Sequence, residues 1–359
     1  MSIQATGLLC CVRNLSLFLR TKWSEARIAS DHFLFIITFK TLTKEVFNMS
    51  EQSAHQQLKI TQIKNQFTIL KGEIIMKKID NAVLAYYNNG NEYNRLRTGI
   101  GLIEFERTKE LLLEYLPKPP AVIYDIGGAY GEYSWWLASM GYKVHLFDLS
   151  ETNIKMSSEL ATEYPDSNLA SSEVCDARSI PRKDKSADAI LLMGPLYHIT
   201  DYDGRISAIK ECRRLLKDNG ILFSAALTPF GVLLDKIPAY NPYGENKNTT
   251  IEDDSFIKMV ERELSDGCQI NPDKSVYSGL GTSHLHTAKA LKAELTESGF
   301  ADSTVHGVMG GAWLANNIDE LWKNEISRNA IMRTVRLLDT HEEIIGLSGH
   351  LLAVSRKNR

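Results

Sequence analysis

A chain of 359 residues, 43% hydrophobic and 24% charged, has the size and composition of one large water-soluble domain or two modest ones. Its formal net charge of -3 gives it no general attraction to nucleic acid or to an anionic membrane. Residues 1–75 carry nine Lys/Arg against five Asp/Glu, so the remainder stands at -7 and no nucleic-acid partner is expected. Five scattered cysteines (Cys10, Cys11, Cys175, Cys212, Cys268), odd in number and without a C-x-x-C pair, argue against a disulfide framework or a cysteine zinc site. They point to a reducing compartment, the cytoplasm. The apolar runs at 7–11 and 33–39 are too short to span a membrane.

The first 75 residues show no sustained periodicity, and three readings of them stay open. They form a loosely ordered extension, or they lie upstream of a working start at Met76 or Met49, or they open with a segment faintly like an organellar transit peptide. Regularity begins at Lys77. Helical spacing runs over 81–96 and again over 102–116, where Pro117, Pro119 and Pro120 stop it. An apolar strand at 121–124 leads into a glycine-rich turn and a helix at 133–140, and a second strand covers 143–147. A helix at 154–164, strands at 172–175 and 189–193, a helix at 206–216 closed by Asp218-Asn219-Gly220 and a strand at 221–227 continue the alternation. Apolar strands alternating with helices predict a parallel sheet covered on both faces, with ligands bound at the carboxyl ends of its strands.

Residues 228–285, rich in Pro, Asn, Asp, Tyr and Gly, break that rhythm and read as an insertion forming an acceptor lid. A helix at 288–298, a strand at 303–308, a helical insertion within 312–345 and a last strand at 350–355 complete a single domain over 76–359.

The strongest local signal is Asp125-Ile126-Gly127-Gly128-Ala129-Tyr130-Gly131, between a buried strand and a helix. The dinucleotide pattern G-x-G-x-x-G fails there, since its later glycines fall on Ala129 and Glu132, and no Gly-Lys-Ser/Thr makes a P-loop. D-x-G-x-G-x-G fits with one change, Ala129. Its acid disfavours a pyrophosphate and favours a cofactor with a cationic amino group, S-adenosylmethionine over NAD. Asp148 with Leu149 at the second strand end suits a ribose, and Asp176 with Ala177 at the third suits an adenine amino group. Both acids also suit plain helix capping.

These residues resemble the class I S-adenosylmethionine-dependent methyltransferases, over about 102–357. Met193-Gly194-Pro195-Leu196-Tyr197-His198, Gly346-Leu347-Ser348-Gly349-His350-Leu351-Leu352-Ala353-Val354 and Glu104-Phe105-Glu106-Arg107-Thr108 resemble segments of a bacterial-type subgroup. The resemblance implies a Rossmann-like α/β fold, with a seven-stranded, mostly parallel sheet whose last strand is antiparallel. It also implies that Asp125 and Gly127 hold the methionine end of the cofactor, Asp148 the ribose and Asp176 the adenine, with Gly128, Ala129, Gly131, Met193 and Gly194 around them.

Methyl transfer needs an aligned acceptor and exclusion of water, and an O or N acceptor must also lose a proton. His198 is the candidate base, with Tyr197 beside the methyl path; structural roles for both remain open. His284 and His286 at the end of the insertion, and Arg95, are candidates for binding the acceptor or the cofactor carboxylate. Trp135 and Trp136 read as core, and His350 as structural. Asp201 and Asp203 read as a solvated turn. No H-E-x-x-H or tight His/Asp cluster is legible, so no metal is expected. The function that follows is methyl transfer to a small acceptor. A non-catalytic S-adenosylmethionine-binding sensor or partner subunit is the alternative, and the oligomeric state is not legible.

Overall fold

A computed structural model describes residues 94–243, 247–270, 282–315 and 317–358, all within the unit Lys77–Arg359. The expectations for 1–75, and for most of the helix at 81–96, lie outside the described residues. Of the latter only a 3₁₀ turn, Arg95–Arg97, is described.

The alternation legible in the sequence becomes β1 (Val122–Ile126), β2 (Lys143–Asp148), β3 (Ser171–Val174), β4 (Ala187–Leu192) and β5 (Leu216–Leu227), all parallel. Between and before them lie α1 (Gly101–Tyr115), α2 (Glu132–Ser139), α3 (Glu151–Leu160), the single turn α4 (Pro195–His198) and α5 (Tyr202–Leu215). The later strands of the main sheet are β8 (Asp302–Gly307) and β9 (His350–Arg356). The sheet order is β3-β2-β1-β4-β5-β9-β8, with β9 antiparallel to both neighbours. This is the Rossmann-like, seven-stranded arrangement that the resemblance implies.

Both faces of the sheet are buried, which is why its strands read as continuous apolar runs. Along β4, Ala187, Ile190 and Leu192 face one layer with Ile209, Cys212 and Leu215 of α5 and with Leu291, Leu295 and Phe300. Ala189 and Leu191 face the other, with Leu111 and Leu112 of α1 and Leu137 of α2. The chain leaves β1 toward β2 on one side and resumes at β4 on the other. The crevice between the carboxyl ends of β1 and β4 is therefore the topological switch point.

Two expectations need correction. Asp218-Asn219-Gly220 does not close the helix, which ends at Leu215. It bulges the start of β5, where the register against β4 shifts and Asn219 adopts a left-handed φ of 64°. Asn and Gly tolerate that conformation, so a turn signal served a bulge instead. Nor is 228–285 irregular. It holds α6 (Gly231–Ala239), α7 (Asp254–Asp266) and a separate hairpin of β6 (Cys268–Ile270) with β7 (Thr282–His284). Phe256, Met259 and Val260 of α7 pack with Leu233 and Ile251 into a small core of their own. Asp253 caps α7, accepting from the backbone N–H of Ser255 and Phe256, and Gly267 ends it at φ 72°.

The remaining helices are α8 (Ala288–Glu297), α9 (Ile318–Lys323) and α10 (Glu325–Leu338). Met332 and Val335 of α10 close over Ile103 of α1. The same join is tied by charge: Arg107 donates to Asp339 at 3.0 and 2.6 Å, and His306 Nδ1 lies 3.1 Å from the same carboxylate oxygen, all of them buried.

Candidate active site

The cleft at the switch point is lined by the strand ends. Gly127, Gly128, Ala129 and Tyr130 follow β1, while Asp148, Leu149 and Ser150 end β2. Cys175, Asp176, Ala177 and Arg178 follow β3, and Met193, Gly194, Pro195, Tyr197 and His198 follow β4.

The glycine loop is shaped by close packing. Gly127 has φ 75°, and a Cβ there would meet the Pro195 ring at 2.4 Å. At Gly128 a Cβ would lie 2.5 Å from the Asp125 carboxyl carbon. Ala129 occupies φ 50°, a left-handed conformation that costs an L-residue about 1 kcal/mol. Its N–H donates to Asp148 Oδ2 at 2.9 Å. Asp148 Oδ1 accepts from the Ser150 N–H at 2.9 Å and from Asn153 Nδ2 at 3.1 Å. The carboxylate thus braces the loop and the following turn while one edge faces the cleft. Helix capping falls to Ser150, whose Oγ accepts from the Asn153 N–H.

Asp125 and Gly131 stand outside the lining. Asp125 is fully buried beneath the loop; its Oδ2 accepts from Ser134 Oγ at 2.7 Å, and its Oδ1 has no hydrogen-bond partner among the described residues. Burial raises its carboxyl to about 7, with the nearby Asp148 charge adding and Ser134 opposing. Its carboxyl group lies directly beneath Gly128. Gly131, at φ 92°, starts α2.

Asp176 faces the cleft, but its carboxylate is already engaged. The Arg178 guanidinium donates to it at 2.6 to 3.1 Å and the Arg178 N–H at 2.8 Å. Burial works against its charge, and the Arg178 bonds outweigh that and hold it below the usual range.

Beyond Gly194 the cleft continues to Ala225, Val308, Leu351 and Leu352, and to a polar end of Arg95, Glu104, Thr108, Tyr133 and His350. Arg95 donates to both oxygens of the buried Glu104 at 2.7 and 3.1 Å, and His350 Nδ1 stands 3.5 Å from Glu104 Oε1. Burial opposes the Glu104 charge, but Arg95 and His350 overcome it and lower its carboxyl. His350, read from sequence as structural, therefore belongs to the lining, as do Glu104 and Thr108. The only sequence signal for them was the resemblance of 104–108 and 346–354. Arg178, Ser150 and Tyr133 carried none.

His198 is half-buried against Tyr197, with ring centroids 4.6 Å apart, and desolvation lowers its imidazole to about 3. It is neutral at physiological pH. His284 and His286 lie outside the lining, and no described residue of 228–285 reaches it. Their rings sit 4.5 Å apart beside α8. Asp201 is the cap of α5, accepting from the Gly204 N–H at 2.6 Å. Trp135 is core, its indole N–H donating to Ser157 Oγ at 3.0 Å.

The methyltransferase-domain family matches residues 124–224, the segment carrying the glycine loop, Asp148, Asp176 and Gly194. Residues 124–224 carry a methyltransferase domain of the S-adenosylmethionine-dependent kind. Among curated methyltransferases it is similar to a ubiquinone/menaquinone biosynthesis C-methyltransferase of Acidiphilium cryptum, 30% identical over 108 residues. It is also similar to the enzyme of that name from Cellvibrio japonicus, 25% identical over 199 residues. These matches span 30% and 53% of this chain, and 42% and 70% of the relatives' own lengths. Solved structures similar to this methyltransferase include one from Methanosarcina mazei, at 20% identity and TM-score 0.44, covering 69% of this chain and 97% of that one. A phosphoethanolamine N-methyltransferase of Haemonchus contortus matches at 15% identity and TM-score 0.43, covering 71% of this chain and 52% of that one. No described helix of the methyltransferase is long and apolar enough to cross a membrane.

The cleft fits the family's cofactor, S-adenosylmethionine. The Gly127 and Gly194 backbones meet so closely that a Cβ on Gly194 would stand 3.1 Å from the Gly127 carbonyl oxygen, leaving bare backbone toward the ligand. Asp148, at 8% exposure, keeps acceptor capacity for a diol, and no basic P-loop interrupts the strand end.

Proposed function

We propose that this methyltransferase acts on a small molecule held in the part of the cleft beyond Gly194. The observation that carries the reading is the continuity of the lining. The walls that receive the cofactor run on, in one cleft, to Ala225, Val308, Leu351 and Leu352 and to the Arg95–Glu104–His350 group. A mostly apolar recess closed by a few convergent polar groups suits a small ligand better than a polymer. The net charge of -7 outside the first 75 residues supports that choice over nucleic acid.

When bound, S-adenosylmethionine supplies an electrophilic methyl group on a cationic sulfur, and transfer consumes that charge. Asp148 receives the ribose hydroxyls while bracing Ala129, and Asp176 with Ala177 borders the adenine. Asp125 keeps the loop in shape. His198 serves as a neutral hydrogen-bonding group that orients the acceptor. An imidazole held at about 3 is a poor proton acceptor, so it is not assigned the part of a base. Tyr197 packs on it and fixes its ring.

The test supplies the full chain with S-adenosylmethionine labelled in its methyl group, plus a cell extract divided by ultrafiltration. Label appearing in the small-molecule fraction supports the reading, and label in RNA or protein overturns the small acceptor. Tight cofactor binding with no label transferred to any fraction would make the protein a sensor or partner subunit instead. With the acceptor in hand, His198→Gln should lower kcat at least tenfold without moving the pH profile. Loss of a pH inflection in that variant would restore the base.

A further inference from the structure

We propose that His284, His286 and Glu294 form a binding site for a transition-metal dication of the zinc type, outside the methyl-transfer cleft. No such cluster is legible in the sequence, where the expectation is that no metal binds. The fold makes one by bringing the end of the β6–β7 hairpin against α8.

His284 ends β7, and His286 follows two residues later in extended chain. The intervening Leu285 is buried, its N–H donating to the Gly267 carbonyl, while the His286 N–H donates to the Leu227 carbonyl. Residues two apart in extended chain share a face, so both imidazoles point the same way. Glu294 reaches them from α8. One donor atom from each of the three lies within 4.8 Å of the other two. His286 Nε2 and Glu294 Oε2 are 3.2 Å apart. Bonds of about 2.0–2.1 Å from a tetrahedral zinc put neighbouring ligand atoms about 3.3 Å apart.

Two further observations point to an occupant. His286 is completely buried, yet its Nδ1 has no hydrogen-bond partner among the described residues. Its Nε2 faces Glu294 Oε2 at 3.2 Å, which leaves Nδ1 the unsatisfied atom where a satisfied one is the rule. The carboxylate is also oriented from behind. Arg205 donates to Glu294 at 2.8 to 3.1 Å, as groups behind a ligating carboxylate commonly do. The set of two imidazoles and one carboxylate suits zinc and its neighbours rather than calcium or magnesium. Cys268 stands opposite His284 in the hairpin register but outside the group of three, so a water would complete the tetrahedron unless the thiol turns inward.

The site would be structural. β7 packs on α4, which carries Tyr197 and His198, and Arg205 also holds the carbonyls of Ile199 and Thr200 just after it. A metal there would fasten the hairpin and α8 behind the His198 turn.

The probe is cobalt(II), added to the full chain after chelator treatment. One equivalent should give the visible d–d bands of a tetrahedral site, displaced by one equivalent of zinc. His286→Ala should abolish them while S-adenosylmethionine binding, read by calorimetry, persists. Should that variant fail to fold, His284→Asn, at a half-buried position, should abolish the bands in the same way. A thiolate charge-transfer band that disappears in Cys268→Ser would support the site with sulfur as its fourth ligand. Absence of tetrahedral bands in the wild type, or bands that survive the histidine substitutions, would overturn the proposal.

Discussion

The two halves of the sheet are held by different kinds of contact. Around β1, β2 and β3 the site is local: Asp148 bonds Ala129, Ser150 and Asn153, Asp176 bonds Arg178, and Asp125 sits under Gly128. Around β5, β9 and β8 the ties join residues far apart in the chain. Arg107 meets Asp339, Arg205 meets Glu294, and Glu104 meets His350. Ligand-shaping geometry is thus concentrated in short segments, while the other half is joined by long-range contacts, of which Arg107–Asp339 and Arg205–Glu294 are buried charge pairs whose loss is costly.

That contrast can be broken deliberately. Arg107→Met should have the largest effect, since among the described residues it leaves the buried Asp339 carboxylate with His306 as its sole polar side-chain partner. A loss of about 3–5 kcal/mol in urea denaturation is expected, with cofactor affinity of the folded fraction unchanged. An equal loss of affinity would show that the halves are coupled. Asp148→Asn should do the reverse. Cofactor binding should weaken by about 2–3 kcal/mol, roughly thirty- to a hundred-and-fifty-fold by calorimetry, with a smaller change in stability.

A third test uses pH. The folded-state carboxyls of Asp125 and Glu263, raised chiefly by burial to about 7, bind protons more tightly than the unfolded chain does. Each therefore contributes stability below its unfolded value that is lost as pH rises through about 7. His198, lowered to about 3, acts oppositely: its contribution is present above about 6.5 and is lost as pH falls toward 3. Asp125→Asn removes the first of these effects. Relative to the wild type it should gain on the order of 1–3 kcal/mol between pH 5 and pH 8, read from urea midpoints at both. A flat difference would mean that Asp125 stays charged under the loop. The smallest effect is a gain: Ala129→Gly should relieve the left-handed backbone and add about 0.5–1 kcal/mol, seen as a higher Tm.

The local half was also the legible half. Strand period, glycine spacing and acids at strand ends are short-range signals, so β1 to β5 and the glycines and acids lining the cleft from Gly127 to Gly194 could be read in order, though Ser150 and Arg178 could not. Departures came where short-range chemistry had two uses. Asp218-Asn219-Gly220 has the composition of a helix stop and serves as a bulge. The polar stretch 228–285 reads as a loop because amphipathic α7 shows the core only Phe256, Met259, Val260 and Glu263. The pairing of Glu104 with His350, and the meeting of His284, His286 and Glu294, depend on how distant elements stack. No window of sequence contains that information.

The position of β9 bears on how the protein is made. β8 is synthesised first, yet its one neighbour in the sheet is β9, which inserts between it and β5. Until the ribosome has passed α9 and α10 and then delivered 350–356, the edges of β5 and β8 both present unpaired N–H and C=O groups. A nascent chain paused at that stage is a template for its neighbours on the same polysome. Late arrival of β9 therefore prolongs the time during which the β5 edge is open to other chains.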